Sequence, residues 1–195
     1  MEHAPSTPSA FAGSPVDNRV ASADTRATAT TGSAASPRVA LVTGAGKRLG
    51  RAIALALAQD GWDIGVHCRD SVVEAEQTVK DIQALGRRAV VLQANLDDAG
   101  QCQTLVPRLA DALGPVSGLV NSASRFEYDD IRSFTPESLH EHLLPNLMAP
   151  LLLAQSLVSQ LPAAPVQGVI VNLLDQKLFN LNPDFLSYTL SKAAL

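Results

Sequence analysis

From residue 38 onward, short runs of Val, Ile, Leu and Ala alternate with longer stretches of helical periodicity, and no other feature narrows the fold as far. The apolar runs at 38–43, 62–68, 88–93, 116–121 and 166–174 have strand length. They read as strands buried on both faces rather than strands wet on one. Helices are expected over 51–60, 74–85 and 101–113, closing at Gly61, Gly86 and Gly114. Two more helices fill 136–160, and a last one begins near Ser187. Strands separated by helices of this length need crossover connections, which makes neighbouring strands parallel. Right-handed crossovers then place helices on both faces. The expected fold is therefore α/β: a doubly wound, Rossmann-like parallel sheet, with ligands bound outside the carboxyl ends of its strands.

Composition closes off other classes. With 46% hydrophobic and 17% charged residues in 195, the chain suits one globular domain. A net charge of -4 argues against a nucleic-acid partner, and 4% aromatic residues leave few platforms for stacking bases. Residues 1–37 are rich in Ala, Ser, Thr and Pro and are expected to form a disordered tail, leaving 38–195 as the folded domain. No basic, then apolar, leader opens the chain. The most apolar stretch, 143–161, is broken by Pro145, Asn146, Pro150, Gln155 and Gln160, so it is expected as a buried or interface helix and not a membrane span. Cys68 and Cys102 cannot make a disulfide framework and read as incidental thiols in a reducing, cytoplasmic setting. His3, His67, His140 and His142 show no ligand spacing, and no metal is expected.

Two motifs carry chemistry. Thr43-Gly-Ala-Gly-Lys-Arg-Leu-Gly50 joins the first strand to the first helix. Gly44 allows a tight turn, Gly46 lets backbone N–H groups approach phosphate, and Gly50 is expected to let the helix pack closely on the sheet. Lys47 and Arg48 add positive charge. Tyr188-Thr-Leu-Ser-Lys192 follows the fifth strand, with Tyr188 and Lys192 on one helical face. An ammonium beside the phenol is expected to lower the tyrosine pKa toward working pH.

In this order and context the two motifs resemble those of short-chain dehydrogenases/reductases, over residues 38–195. Arg48 stands where most of that family has Gly or Ala, a departure shared with its pteridine reductases. The resemblance implies an NADP(H) site. Gly44, Gly46, Lys47, Arg48, Leu49 and Gly50 would cradle the phosphates. His67, Arg69 and Ser71 would lie at the adenosine ribose, with Asp70 where an Arg is expected. Asn95 and Leu96 would lie beside the adenine, and Asn121, Ala123 and Ser124 along the ribose. Tyr188 and Lys192 would meet the nicotinamide end. The resemblance also implies that Asn146 holds a proton-relaying water.

On the substrate side, the resemblance implies Arg48, Ser124, Phe126, Asp175 and Tyr188, with Phe126 stacking a flat ring. Asp175 replaces the usual Ser. A carboxylate would repel a developing alkoxide, whereas a carboxyl group kept neutral by burial could protonate nitrogen, so a C=N bond of a dihydropterin or dihydrofolate is the expected target. Relatives form dimers or tetramers through the helix at 143–160, which implies a homo-oligomer. They also continue for about fifty further residues, the scale of two βα units, so the chain reads as C-terminally truncated and without the substrate lid. Two alternatives stand beside this reading: a ketone or 3-oxoacyl reductase of the same family, and a catalytically silent NADP-binding or scaffold protein.

Overall fold

The computed structural model describes residues 38–161 and 167–195. The expected tail at 1–37 and the start of the fifth expected strand at Val166 lie outside the described residues. Five parallel strands, β1 (Arg38–Val42), β2 (Trp62–Cys68), β3 (Ala89–Gln93), β4 (Val116–Asn121) and β5 (Val169–Asn172), form one sheet in the order β3-β2-β1-β4-β5. The winding reverses between β1 and β4, which opens a crevice at their carboxyl ends.

Side-chain alternation along β1 builds a core on each face. Val39 and Leu41 point into one cluster, with Leu105 and Leu109 of α3 (Ala99–Leu113) and Leu153 and Leu157 of α5 (Ala149–Gln160). Ala40 and Val42 point into the other, with Ala54 and Ala58 of α1 (Arg48–Gln59) and Ala75 and Ile82 of α2 (Val72–Ala84). Small residues on α1 let it lie close to the sheet, beside the crevice.

The helices start earlier than their apolar periodicity suggests, because capping sets the first turn. Asp98 accepts the Gln101 N–H at 3.1 Å and starts α3 at Ala99. Thr135 and Ser138 cap α4 (Pro136–Leu143) reciprocally. Pro107 lies inside α3 and cannot donate to the carbonyl of Gln103. The Ser156 hydroxyl of α5 donates to that carbonyl at 3.3 Å instead, so a helix contact repairs the break. Where two helices are expected over 136–160, a π-helical segment, Leu144–Met148, joins α4 to α5 and carries Asn146. β5 pairs only with β4 among the described residues, and Val169, Ile170 and Val171 are exposed along it.

Candidate active site

The crevice at the sheet's carboxyl edge holds a cavity of about 990 Å³. Its walls come from the glycine loop, the ends of β2, β3 and β4, the turn after β5, and α6 (Leu186–Ala194). Most of the residues singled out from sequence converge there.

Buried groups behind the glycine loop fix its shape. The Thr43 hydroxyl accepts the N–H groups of Ser122 and Ala123 at 2.9 and 3.0 Å, tying β1 to the turn after β4. Gly44 takes φ 65°, and a Cβ there would sit 3.0 Å from the Ala123 Cα. A Cβ on Gly50 would collide with the carbonyl of Gly44. Gly50 therefore makes room for its own loop, rather than for the sheet as expected from sequence. A Cβ on Gly46 would press on the Ser71 hydroxyl at 3.0 Å. Lys47 pairs with Glu74 at 2.6 Å. Arg48 opens α1 with φ 51° and, among the described residues, has no acidic partner. Leu49 is exposed at the mouth.

His67 lines the crevice, but both its ring nitrogens are bonded within the chain. It is buried, its Nδ1 accepts the Gly44 N–H at 3.1 Å, and its Nε2 lies 3.2 Å from the Ala94 carbonyl. Burial pushes its pKa down to about 4, so the ring is neutral at pH 7 with the Nε2 proton donated to Ala94. The imidazole braces the loop from behind and has no polar atom left for a ligand.

β2 ends on Cys68, which is buried and carries no charge that would bond a ribose diol. Arg69 follows, its Nε bonded to Asp70 Oδ2 at 2.7 Å, with both side chains more than half exposed. The Asn95 side-chain oxygen accepts the Asp97 N–H at 3.1 Å. Leu96 turns its side chain into the core, which leaves only its backbone for any ligand, and Asp97 pairs with Arg125 at 3.2 Å. Asn121 is buried within the sheet and donates to Asn172 at 2.8 Å, so it ties β4 to β5 and does not line the crevice.

Asn146 also differs from expectation. Its Oδ1 accepts the Arg125 N–H at 2.8 Å and the Ser124 hydroxyl at 3.1 Å. Its Nδ2 donates to the Arg125 carbonyl at 3.0 Å and to Ser191 at 2.9 Å. All four positions of the amide are taken. The side chain cannot also hold a water, and it joins the π-helical segment, the turn after β4 and α6.

At the far wall, the Tyr188 hydroxyl donates to Asp175 Oδ2 at 2.6 Å, and the Lys177 N–H donates to Asp175 Oδ1 at 2.8 Å. Lys192 Nζ donates to the Leu173 carbonyl at 2.9 Å and lies 5.9 Å from the centre of the Tyr188 ring. The two expected pKa shifts are reversed. The phenol bond and the Lys177 amide hold the Asp175 carboxyl below the usual range, although burial opposes them. Burial and then Asp175 raise the Tyr188 phenol, and burial lowers Lys192. The carboxylate touches the phenol while the ammonium stands off it, so the nearer charge prevails. Phe126 stacks on Phe185 at 4.2 Å, nearly parallel, and meets Tyr188 edge-on at 4.6 Å, so one of its faces is already covered. Sequence reasoning missed Phe185, Thr43 and Arg125. Only Thr43, inside the glycine motif, carried a signal.

Among the described residues no cluster of His, Cys, Asp or Glu is arranged to hold a metal, and no helix is long and apolar enough to cross a membrane. A glycine loop at the switch point of a parallel sheet, faced by a tyrosine and a lysine, is the arrangement of a Rossmann-like domain. The chain belongs to the short chain dehydrogenase family, whose model matches residues 38–195.

Among solved structures, it is 37% identical to the FolM alternative dihydrofolate reductase 1 from Brucella suis in complex with NADP (TM-score 0.76; 80% of this chain and 65% of that one). It is 29% identical to the angucycline C-6 ketoreductase LanV with bound NADP (TM-score 0.74; 81% and 63%). Among curated proteins, it is 30% identical over 159 residues to 2-dehydro-3-deoxy-D-gluconate 5-dehydrogenase from Dickeya dadantii (strain 3937), covering 81% of this chain and 61% of that protein. The chain thus spans about three fifths of the length of such curated relatives.

Proposed function

We propose that this chain forms the cofactor-binding and proton-delivering part of an NADPH-dependent reductase acting on a C=N bond of a dihydropterin-like ring. The residues fit the cofactor. Gly44, Gly46 and Gly50 hold the loop in a tight shape that a Cβ at any of them would disturb, α1 brings its positive end to the loop, and β2 ends without a carboxylate and is followed by Arg69. Bound NADPH supplies hydride at its nicotinamide ring. Lys47, Arg48 and the loop amides would hold its phosphates, Arg69 and Ser71 the 2′-phosphate, Asn95 the adenine, and Ala123 and Ser124 would lie along the ribose.

One observation carries the substrate class: the 2.6 Å bond from Tyr188 to Asp175. A ketone reductase needs donors at the site of a growing oxyanion, and a carboxylate there would repel it. Nitrogen needs a proton and no oxyanion site. Asp175 therefore is not an independent neutral acid. It and Tyr188 hold one proton between them, and a short O–H···O bond lets either end deliver it. When the proton leaves, Lys192 faces the negative charge left behind on its own side of the tyrosine ring. Phe126, with Phe185 behind it, offers an aromatic face to a flat ring.

The test is NADPH oxidation by the purified protein with dihydrobiopterin or dihydromonapterin against an acetoacetyl thioester. Pterin-dependent turnover is expected. Turnover with the thioester alone would establish the ketone-reductase reading, and tight NADPH binding with neither would establish a silent binding protein.

The Arg69–Asp70 pair makes a separate prediction. A 2′-phosphate must compete with Asp70 for the guanidinium, so Asp70→Ser is expected to tighten NADPH binding about fivefold, the worth of an exposed ion pair. NADH binding should hold steady. Fluorescence titration of both cofactors checks it, and equal gains for both would rule it out.

A further inference from the structure

The turn between β4 and α4 carries a buried carboxylate that the proton pair does not use. Asp129 is 4% exposed. Its Oδ1 accepts the Ser187 N–H at 2.9 Å, and its Oδ2 accepts the Ser138 hydroxyl at 3.1 Å and the Ser187 hydroxyl. Its backbone carbonyl accepts the Leu186 N–H at 3.2 Å. The first two amides of α6 thus end on a single residue from a distant turn.

The reason lies in how α6 begins. A helix leaves its first N–H groups without partners, and a Ser, Thr, Asp or Asn just before it usually supplies one. Here that position is Phe185, whose side chain caps nothing and whose φ of 59° is left-handed. Its ring stacks on Phe126 at 4.2 Å and meets Tyr128 edge-on at 5.4 Å. The capping position serves the aromatic wall, and the cap arrives from Asp129. The carboxylate also receives Ser138 from the first turn of α4, so the positive ends of two helices face it. Burial opposes its ionisation, and the bonds from Ser187 and Ser138 still hold its pKa below the usual carboxylate range.

Tyr188 follows Ser187 directly, and Lys192 lies one turn on. We infer that Asp129 is a positioning residue, which pins the first turn of α6 so that the Tyr188 hydroxyl meets Asp175. Its importance for turnover rests on the reductase reading above, whereas the geometric claim does not.

Two readouts separate them. The chain has two tyrosines, so Tyr128→Phe leaves Tyr188 as the only one. Its ring Cζ resonance can be followed from about pH 7 to about pH 11, across the ordinary tyrosine value near 10. With its burial and Asp175 in place, the parent should stay a phenol through most of this range. Adding Asp129→Asn removes the charge and turns an amide donor toward the Ser138 and Ser187 hydroxyls, which loosens the first turn and weakens both the burial and the Asp175 bond. Phenolate should then appear at lower pH. Turnover with dihydropterin should fall about tenfold or more, a typical cost of a misplaced reacting group, while NADPH affinity stays within about twofold because the glycine loop is untouched.

A folded Asp129→Asn protein with an unmoved phenol titration would overturn the inference. If that variant does not fold, Ser187→Ala removes one hydroxyl donor and keeps the carboxylate and the backbone bonds. A smaller shift in the same direction supports Asp129, and no shift in folded Ser187→Ala overturns it. If the parent shows no pterin turnover at all, the substrate reading fails and the phenol titration alone judges Asp129.

Discussion

Tyr188→Phe is expected to lower the turnover number by about 10²–10⁴-fold, the range supplied by a positioned proton donor, while NADPH binds as before. The ring remains and can still meet Phe126 edge-on, so the wall of the site survives. What disappears is the hydroxyl, and with it the proton shared with Asp175. The effect should be nearly the same at every pH where the parent works. Burial and Asp175 raise the phenol above its ordinary value, so the parent keeps its proton, and the alkaline fall in rate should come first from Lys192, whose ammonium burial makes easier to lose. The Asp175 carboxyl is shifted downward, so its protonation takes hold only below its ordinary value near 4. A flat profile between these limits in the parent, and a uniformly low one in Tyr188→Phe, is the expected pair of curves. Stopped-flow and steady-state rates with titrated NADPH check both. Turnover within a few fold of the parent would remove Tyr188 from the reaction.

Gly50→Val is expected to weaken NADPH binding by about 10²-fold or more, on the scale of a shift of about 1 Å in groups that position a ligand. The cause is local. A Cβ at residue 50 would occupy the place of the Gly44 carbonyl, and that backbone oxygen cannot swing aside as a flexible side chain would. Gly44 is itself held by the His67 bond and by contact with Ala123, so the loop has no easy direction to yield. Ala at the same position brings the same Cβ and should show most of the effect. Equilibrium binding followed by cofactor fluorescence measures it, and thermal unfolding shows whether the fold survives. A glycine valued only for close packing of α1 on the sheet would instead give a loss of stability with cofactor affinity intact.

Much of this was legible along the chain. β2 and β4 begin and end where their expected runs do, because strands buried on both faces are mainly apolar, and the buried polar exceptions, Asp63, His67 and Asn121, are each hydrogen-bonded within the chain. The glycine loop and the Tyr188–Lys192 spacing were visible because each works over a few consecutive residues. The start of α3 was less visible, because Asp98 caps it outside the apolar pattern. The roles of His67 and Asn146 were not visible at all. Both lie in motifs that point to a ligand, and both spend every polar atom on distant parts of their own chain.

The sequence by itself determined the parallel α/β class and picked out the glycine loop and the Tyr188–Lys192 pair that line one crevice, because periodicity and short-range spacing are properties of neighbours. The tertiary structure decided which way the protons lean and what holds the reacting helix. Asp175 meets Tyr188 across a turn, and Asp129 reaches Ser187 over 58 positions. Charge and hydrogen bonding act over a few ångströms of space, whatever number of residues separates the partners.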